Sequence, residues 1–125
     1  MAVSPKPRPS KPERVRFVLR PYRRIPTWLA LYYLSGECVG KGIVTNLSQL
    51  GMRVQGDHEV ELGLHLALRV TFTDDSPPIE IERATVRWVN RYDFGLDLVL
   101  VSPLAAKYIV RLLSGQIRAP QTHAL

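Results

Sequence analysis

The sequence contains a single cysteine, Cys38, and no apolar run long enough to cross a membrane. One cysteine excludes an intramolecular disulfide and is compatible with a reducing compartment. The longest apolar run, residues 28–34, is far shorter than the roughly 18 residues that a membrane-spanning helix needs. Residues 1–13 contain no apolar stretch of the kind found in secretory signals. We therefore expect a cytoplasmic protein that does not insert into membranes.

The sequence also lacks the residue constellations that are typical of enzymes. Its three histidines, His58, His65 and His123, are scattered, and none has a partner at metal-ligand spacing, so surface positions are predicted. Cys38 lies near a predicted turn without a nearby histidine, which favours an ordinary small residue over a nucleophile. No phosphate-binding loop and no dinucleotide fingerprint occur. These absences predict a protein that is not an enzyme and that uses no metal or cofactor.

Acidic residues are scarce at the N-terminus. Residues 1–24 contain eight lysines and arginines and a single acid, Glu13, for a net charge of +7, whereas residues 25–125 carry nine basic and ten acidic residues. The N-terminal segment is therefore the expected contact for an anionic partner. Four prolines within its first twelve positions predict that residues 1–13 form a flexible arm.

From Pro26 onward the sequence shows short alternating segments that are typical of β-strands. Turn signals such as "SGE" and "DDSPP" separate six of them, over residues 27–34, 40–48, 50–56, 64–72, 80–90 and 94–101. Alternation predicts that Ala84, Val86 and Trp88 face inward, as do the even-numbered residues from Phe94 to Leu100. Six short strands with one buried face each predict a closed or nearly closed antiparallel barrel.

One helix is predicted after the strands, over residues 103–114. Ser102 suits the N-cap, Pro103 suits the first helical position, and Gly115 supplies the stop. An apolar stripe at helical spacing should pack on the barrel; it consists of Leu104, Tyr108, Ile109, Leu112 and Leu113. The predicted organisation is an arm over 1–13, one domain over 14–115 and a tail over 116–125.

Two short motifs carry most of the functional information. The stretch "TNLSQLGM" places Asn46, Ser48 and Gly51 at [DN]xSxxG spacing, and upstream "RPYRR" forms an RxxxR string from Arg20 and Arg24. Taken alone, the first motif is explained equally well by a hairpin turn, in which Asn and Ser bond to backbone and Gly relaxes the backbone geometry. Arg16 and Arg20 form a second RxxxR string.

The order of these features resembles the PilZ domain, a bacterial family that binds the second messenger cyclic di-GMP. Its signature motifs are RxxxR and [DN]xSxxG on a six-stranded antiparallel barrel, and "WVNRYDFGLDLV" is similar to its late strands. The resemblance covers residues 16–113. It implies an all-β fold with one helix, namely a six-stranded antiparallel split barrel followed by a C-terminal α-helix. Because the second motif arginine of the family immediately precedes the first strand, the resemblance favours Arg20 and Arg24 as the pair.

The resemblance implies that five residues bind cyclic di-GMP: Arg20, Arg24, Asn46, Ser48 and Gly51. Arginine suits this ligand because its planar fork pairs with a guanine edge, its charge pairs with phosphate and its face stacks on a base. We expect Asn46 at a guanine edge, Ser48 at a phosphate or base, and close backbone approach at Gly51. Asn46 replaces the commoner aspartate, which keeps an acceptor and removes a charge.

Three further residues are secondary candidates for ligand contact, namely Arg16, Arg23 and Trp88. For Trp88, a core position is favoured over a stacking role because it follows the inward parity of its strand.

The implied function is that of a cyclic di-GMP receptor. Its basic segment would be loose without ligand, would become ordered on binding, and would signal to a downstream protein partner. Two alternatives remain: a PilZ-like interaction adaptor that does not bind nucleotide, and a small β-barrel that binds nucleic acid. Both motif arginines are present, which argues against the first. The nearly neutral body, without an aromatic platform interleaved with basic residues, makes nucleic acid the less favoured partner.

Overall fold

The computed structural model describes residues 24–117, which fold into six β-strands and one α-helix. The elements are β1 Ile25–Ser35, β2 Cys38–Leu47, β3 Gly51–Gly56, β4 His65–Val70, β5 Ile79–Asn90, β6 Asp93–Val101 and α1 Pro103–Leu113. All strand pairs are antiparallel and close in the order β1-β2-β3-β6-β5-β4. The prediction of a six-stranded antiparallel barrel with one C-terminal helix is therefore confirmed.

Several expectations fall on parts of the chain that lie outside the described residues: the arm over 1–13, most of the tail, and the residues Arg16, Arg20, Arg23 and His123. Within residues 24–117, no helix is long and apolar enough to cross a membrane.

A single hydrophobic core fills the barrel, because alternate residues of each strand point inward. On β1, Leu29, Leu31 and Tyr33 are at most 1% exposed, whereas the residues between them are exposed. Inward residues from all six strands join those of α1 in one cluster. Burial of one such large side chain contributes about 1.5–3 kcal/mol relative to leaving it in water.

The predicted start and stop of the helix are both present. The Ser102 hydroxyl accepts a hydrogen bond from the Ala105 N–H at 3.1 Å, and Pro103 occupies the first helical position. Gly115, with φ of 78°, directly follows the C-cap Ser114. A left-handed residue at this point suits glycine because it carries no Cβ.

The buried stripe of α1 differs from the prediction at one position. Leu104 is 52% exposed, and the neighbouring Ala105 is buried instead, in line with Ile109 and Leu112. Tyr108 stacks on Phe72 of the segment after β4, with ring centres 5.7 Å apart. The helix therefore packs on the barrel core, as the apolar stripe predicted.

The predicted inward positions of Trp88 and Leu100 are wrong. The register between β5 and β6 shifts after Val86, which pairs with Leu96, so that Trp88 lies opposite Gly95. This bulge reverses the parity of the strand, and Trp88 is 40% exposed. Further register shifts toward the end of β6 leave Leu100 45% exposed.

A small polar cluster surrounds the carboxylate of Asp57, which follows β3. It accepts a hydrogen bond from the Lys41 backbone N–H at 3.1 Å, and the Tyr33 hydroxyl lies 3.4 Å away. The His58 ring nitrogen lies 3.0 Å from the same oxygen. The Lys41 hydrogen bond, followed by the contact with His58, lowers the pKa of Asp57 from its ordinary value of 3.8.

This cluster predicts how stability depends on pH. Because the folded-state pKa of Asp57 is lowered, its contribution to stability is present above pH 3.8 and is lost as the pH falls through the folded-state value. Asp57→Asn should therefore flatten the acid limb of the unfolding free energy, measured by urea denaturation at a series of pH values. Asp74→Asn removes the same charge from an exposed loop and serves as the control. Equal effects of the two variants would contradict the prediction.

Candidate ligand-binding site

A groove of about 500 Å³ crosses the outer surface of the barrel where β2, β3, β6 and β5 lie side by side. Its lining residues come from these strands, from the turn between β2 and β3, and from the position before β1: Arg24, Asn46, Ser48, Leu50, Gly51, Met52, Arg53, Arg87, Trp88, Gly95, Leu96 and Asp97. The groove therefore combines segments that are far apart in the sequence.

Strand register explains why these segments meet. Asn46 on β2 pairs with Arg53 on β3, Arg53 pairs with Gly95 on β6, and Gly95 pairs with Trp88 on β5. We call these four residues the transverse row. Because neighbouring strands lie about 4.8 Å apart, the row spans about 14 Å across the sheet. It forms one continuous floor between the NxSxxG motif and the tryptophan.

The NxSxxG motif forms the tight turn between β2 and β3. The Ser48 N–H donates to the Gly51 carbonyl at 2.9 Å, and the Ser48 hydroxyl accepts from the Gly51 N–H at 3.1 Å. A Cβ at Gly51 would lie only 2.7 Å from the Leu96 carbonyl oxygen, so the close approach of β6 requires glycine here. Ser48 thus holds the turn, and direct contact between its hydroxyl and a ligand stays a prediction.

Asn46 contributes a buried hydrogen-bond acceptor to the groove. Within the part of the chain that the structure describes, its Oδ1 atom is buried and has no hydrogen-bond partner. An unpaired buried acceptor costs about 1–3 kcal/mol, which a donor on a ligand would offset once the Asn46 amide turns its buried Oδ1 atom toward the groove. Guanine carries such N–H donors on its edge, so the position is chemically suited to a guanine.

At the other end of the transverse row, Trp88 lies over Gly95. A Cβ at Gly95 would overlap the indole ring, so the absence of a side chain there makes room for the tryptophan. The guanidinium carbon of Arg53 lies 5.8 Å from the centre of the same ring, within the range of a cation–π contact. The indole is therefore held at the groove by its neighbours on both β6 and β3.

Two ion pairs border the groove, and sequence reasoning missed both. Arg53 Nε donates to Asp93 at 3.0 Å, and Arg87 Nη1 donates to Asp97 at 2.8 Å. Hydrogen bonding to the Asp93 carboxylate raises the pKa of Arg53 above its ordinary value. The available signal was spacing, because Asp93 and Asp97 flank Gly95 at two-residue intervals and share its face of β6.

The structure brings five of the sequence-predicted residues to this groove: Arg24, Asn46, Ser48, Gly51 and Trp88. The other candidates, Arg16, Arg20 and Arg23, lie outside the described residues. Between residues 24 and 117, no group of three or more His, Cys, Asp or Glu side chains is placed to hold a metal ion.

Comparison with known proteins agrees with this architecture. The family model of the PilZ domain matches residues 18–115. The inhibitor of motility MotI/DgrA from Bacillus subtilis has a similar structure, with a TM-score of 0.62 and 15% identity over 83% of this chain and 52% of its own, so this chain spans about half its length. The PilZ domain of CeSA from a cellulose-synthesizing bacterium gives a TM-score of 0.57 and 17% identity, over 75% of this chain and 97% of its own. At these identities the two structures show the fold. No curated protein sequence matches the chain.

The contact between the Trp88 ring and Gly95 can be tested by substitution. Gly95→Ala should push the indole out of its position, because the ring belongs to an exposed side chain that can rotate away more easily than the strands can separate. We expect a shifted emission maximum and an altered indole N–H resonance. Both are measured in a Trp28→Phe background, in which Trp88 is the sole tryptophan. An unchanged spectrum would contradict this account of the contact.

Proposed function

Because the chain belongs to the PilZ domain family, a family of cyclic di-GMP receptor domains, we propose that it binds cyclic di-GMP in the groove. The observation that supports this most is the convergence, at one groove, of Arg24 and the NxSxxG residues Asn46, Ser48 and Gly51. The ligand is the messenger itself, so the proposal requires no cofactor, metal or catalytic step.

Five of the groove residues offer chemistry that suits part of the ligand. The Asn46 Oδ1 acceptor would take an N–H from a guanine edge. Arg24, together with Arg20 upstream, would pair with phosphate or with the O6 and N7 atoms of a guanine. Ser48 and Gly51 would keep the turn backbone close to the ligand, and Trp88 would offer a ring face to a base.

The proposed signalling step concerns the basic segment that precedes β1. Eight of residues 1–24 are lysine or arginine, and the last of them, Arg24, lies at the groove. Binding of a ligand with two phosphates would order this segment through charge-assisted hydrogen bonds, which offset the loss of conformational entropy. The repositioned segment would then create or hide a surface for a downstream protein partner.

Removal of either motif arginine should weaken binding. Arg20→Ala and Arg24→Ala are each expected to cost about 1.5–3 kcal/mol, or about 10- to 150-fold in Kd, which is the scale of a hydrogen bond to a charged group. Titration calorimetry with cyclic di-GMP measures this loss. The matched control is Arg69→Ala, which removes an exposed arginine on β4 away from the groove. Unchanged affinity in both motif variants would refute the assigned pocket.

The same titrations distinguish this function from general nucleic-acid binding. A receptor should bind cyclic di-GMP with a saturable stoichiometry, and an excess of single-stranded DNA should not displace the ligand. Sequence-independent DNA binding that weakens steeply with salt, and that cyclic di-GMP does not compete, would favour the alternative.

A substitution of the acceptor at position 46 should strengthen ligand binding, whereas removal of a motif arginine should weaken it. Asn46→Asp restores the residue that is commoner in the family and should strengthen binding about fivefold, because hydrogen bonds to charged groups exceed neutral ones by roughly 1 kcal/mol. The comparison is made by calorimetry against Gln116→Glu, which adds the same charge beyond α1. Weaker binding by Asn46→Asp, with the control unchanged, would exclude a guanine N–H donor at this position.

A further inference from the structure

The outward face of β6 alternates two carboxylates with a glycine. Asp93, Gly95 and Asp97 share this face, and each aspartate bonds to an arginine on a neighbouring strand: Arg53 on β3 and Arg87 on β5. Only the first of these arginines belongs to the transverse row. The two pairs are therefore chemically alike but differ in position relative to the floor of the groove.

Arg53 is held by contacts with both Asp93 and Trp88. Its Nε atom lies 3.0 Å and 3.2 Å from the two Asp93 oxygens, and its Nη2 atom also donates to that carboxylate. The Asp93 side chain is only 17% exposed, so part of the pair is shielded from water. Contact with the Trp88 ring adds a third restraint.

These contacts determine which parts of the Arg53 guanidinium remain available. Its Nε and Nη2 edge is occupied by Asp93, so this edge is not free to form a bidentate pair with a guanine. What remains is Nη1 and the flat surface of a group whose orientation is already fixed. A preordered flat cation beside an indole suits stacking by a base, because little entropy is lost when the ligand arrives.

We propose that Asp93, Arg53 and Trp88 form a stacking platform for one base of the ligand, with Arg53 as the contact and Asp93 as its positioning residue. This inference rests on the proposed function, because it assumes a nucleotide in the groove. It adds two residues outside both sequence motifs to the site. It also implies that Asp93, although negatively charged, favours binding of the anionic ligand, because it holds Arg53 in position.

The Arg87–Asp97 pair provides a matched comparison. Its arginine is 66% exposed and its aspartate 46%, compared with 53% and 17% for Arg53 and Asp93. Asp97 lies as far from Gly95 along β6 as Asp93 does, on the same face. The two aspartates therefore share charge, strand and face, but they differ in exposure, in what their arginines contact, and in that Asp97 itself lines the groove.

The test measures the affinity for cyclic di-GMP by calorimetry in the full chain with four substitutions. Arg53→Ala should weaken binding about tenfold, the scale of one base-stacking contact. Arg53→Lys should weaken it nearly as much, because an ammonium group keeps the charge but has no flat face. Asp93→Asn should weaken binding because Arg53 is released, whereas Asp97→Asn should strengthen it, because it removes a carboxylate that lines the groove. Thermal unfolding of each variant reports whether it remains folded.

Two results would overturn the platform while leaving the proposed function intact. One is wild-type affinity in Arg53→Lys, which would mean that only charge matters at this position. The other is stronger binding in both Asp93→Asn and Asp97→Asn, which would mean that both carboxylates simply repel the ligand. Absence of binding by the wild-type protein would instead contradict the proposed function, and the platform with it.

A second readout separates stacking from a purely structural role. In the Trp28→Phe background, saturating cyclic di-GMP should quench Trp88 fluorescence, and Arg53→Ala should change the amplitude of quenching at saturation. A reduced affinity with an unchanged amplitude would place Arg53 away from the stacked base and would overturn its assignment as the contact.

Discussion

The pairing of β6 with both β3 and β5 is the constraint on which barrel closure and the groove depend. It joins β2 and β3 to β5 in one sheet, so that residues of the β2–β3 turn and residues of β5 share an outer surface. The close passage of β6 at the turn requires a glycine at position 51. Without this pairing, the motif would be a hairpin turn with nothing opposite it.

The bulge in β5 decides which side chain faces the groove. In regular pairing, Trp88 would continue the buried face of Val86, and the core would contain an indole. The bulge turns it outward over Gly95, where the missing Cβ leaves space for the ring. Bulges often redirect a side chain next to a functional site, and here the redirected residue is the largest aromatic surface in the groove.

Electrostatics in the groove are organised by local pairing rather than by net charge. The chain carries +6 overall, but its excess resides in residues 1–24, and Arg53 on β3 and Arg87 on β5 are each bound by an aspartate on β6. Ion pairs at a protein surface contribute little to stability, so the main consequence of these two pairs is the orientation of the arginines. The excess positive charge therefore lies before β1 in the sequence, whereas strand pairing orients the two arginines at the groove.

Local sequence patterns were enough to predict the number of strands, the turns, the cap of the helix and the identity of the motif, because each depends on neighbouring residues or on a two-residue period. Ser102 as the helix cap and Ser48 with Gly51 in the turn are of this kind. The outward position of Trp88, and the position of Arg53 between Asn46 and Gly95, could not be predicted in this way and became visible in the folded barrel. Register shifts and the order of strands in a barrel arise from pairing between distant segments, which leaves no periodic trace in either segment alone.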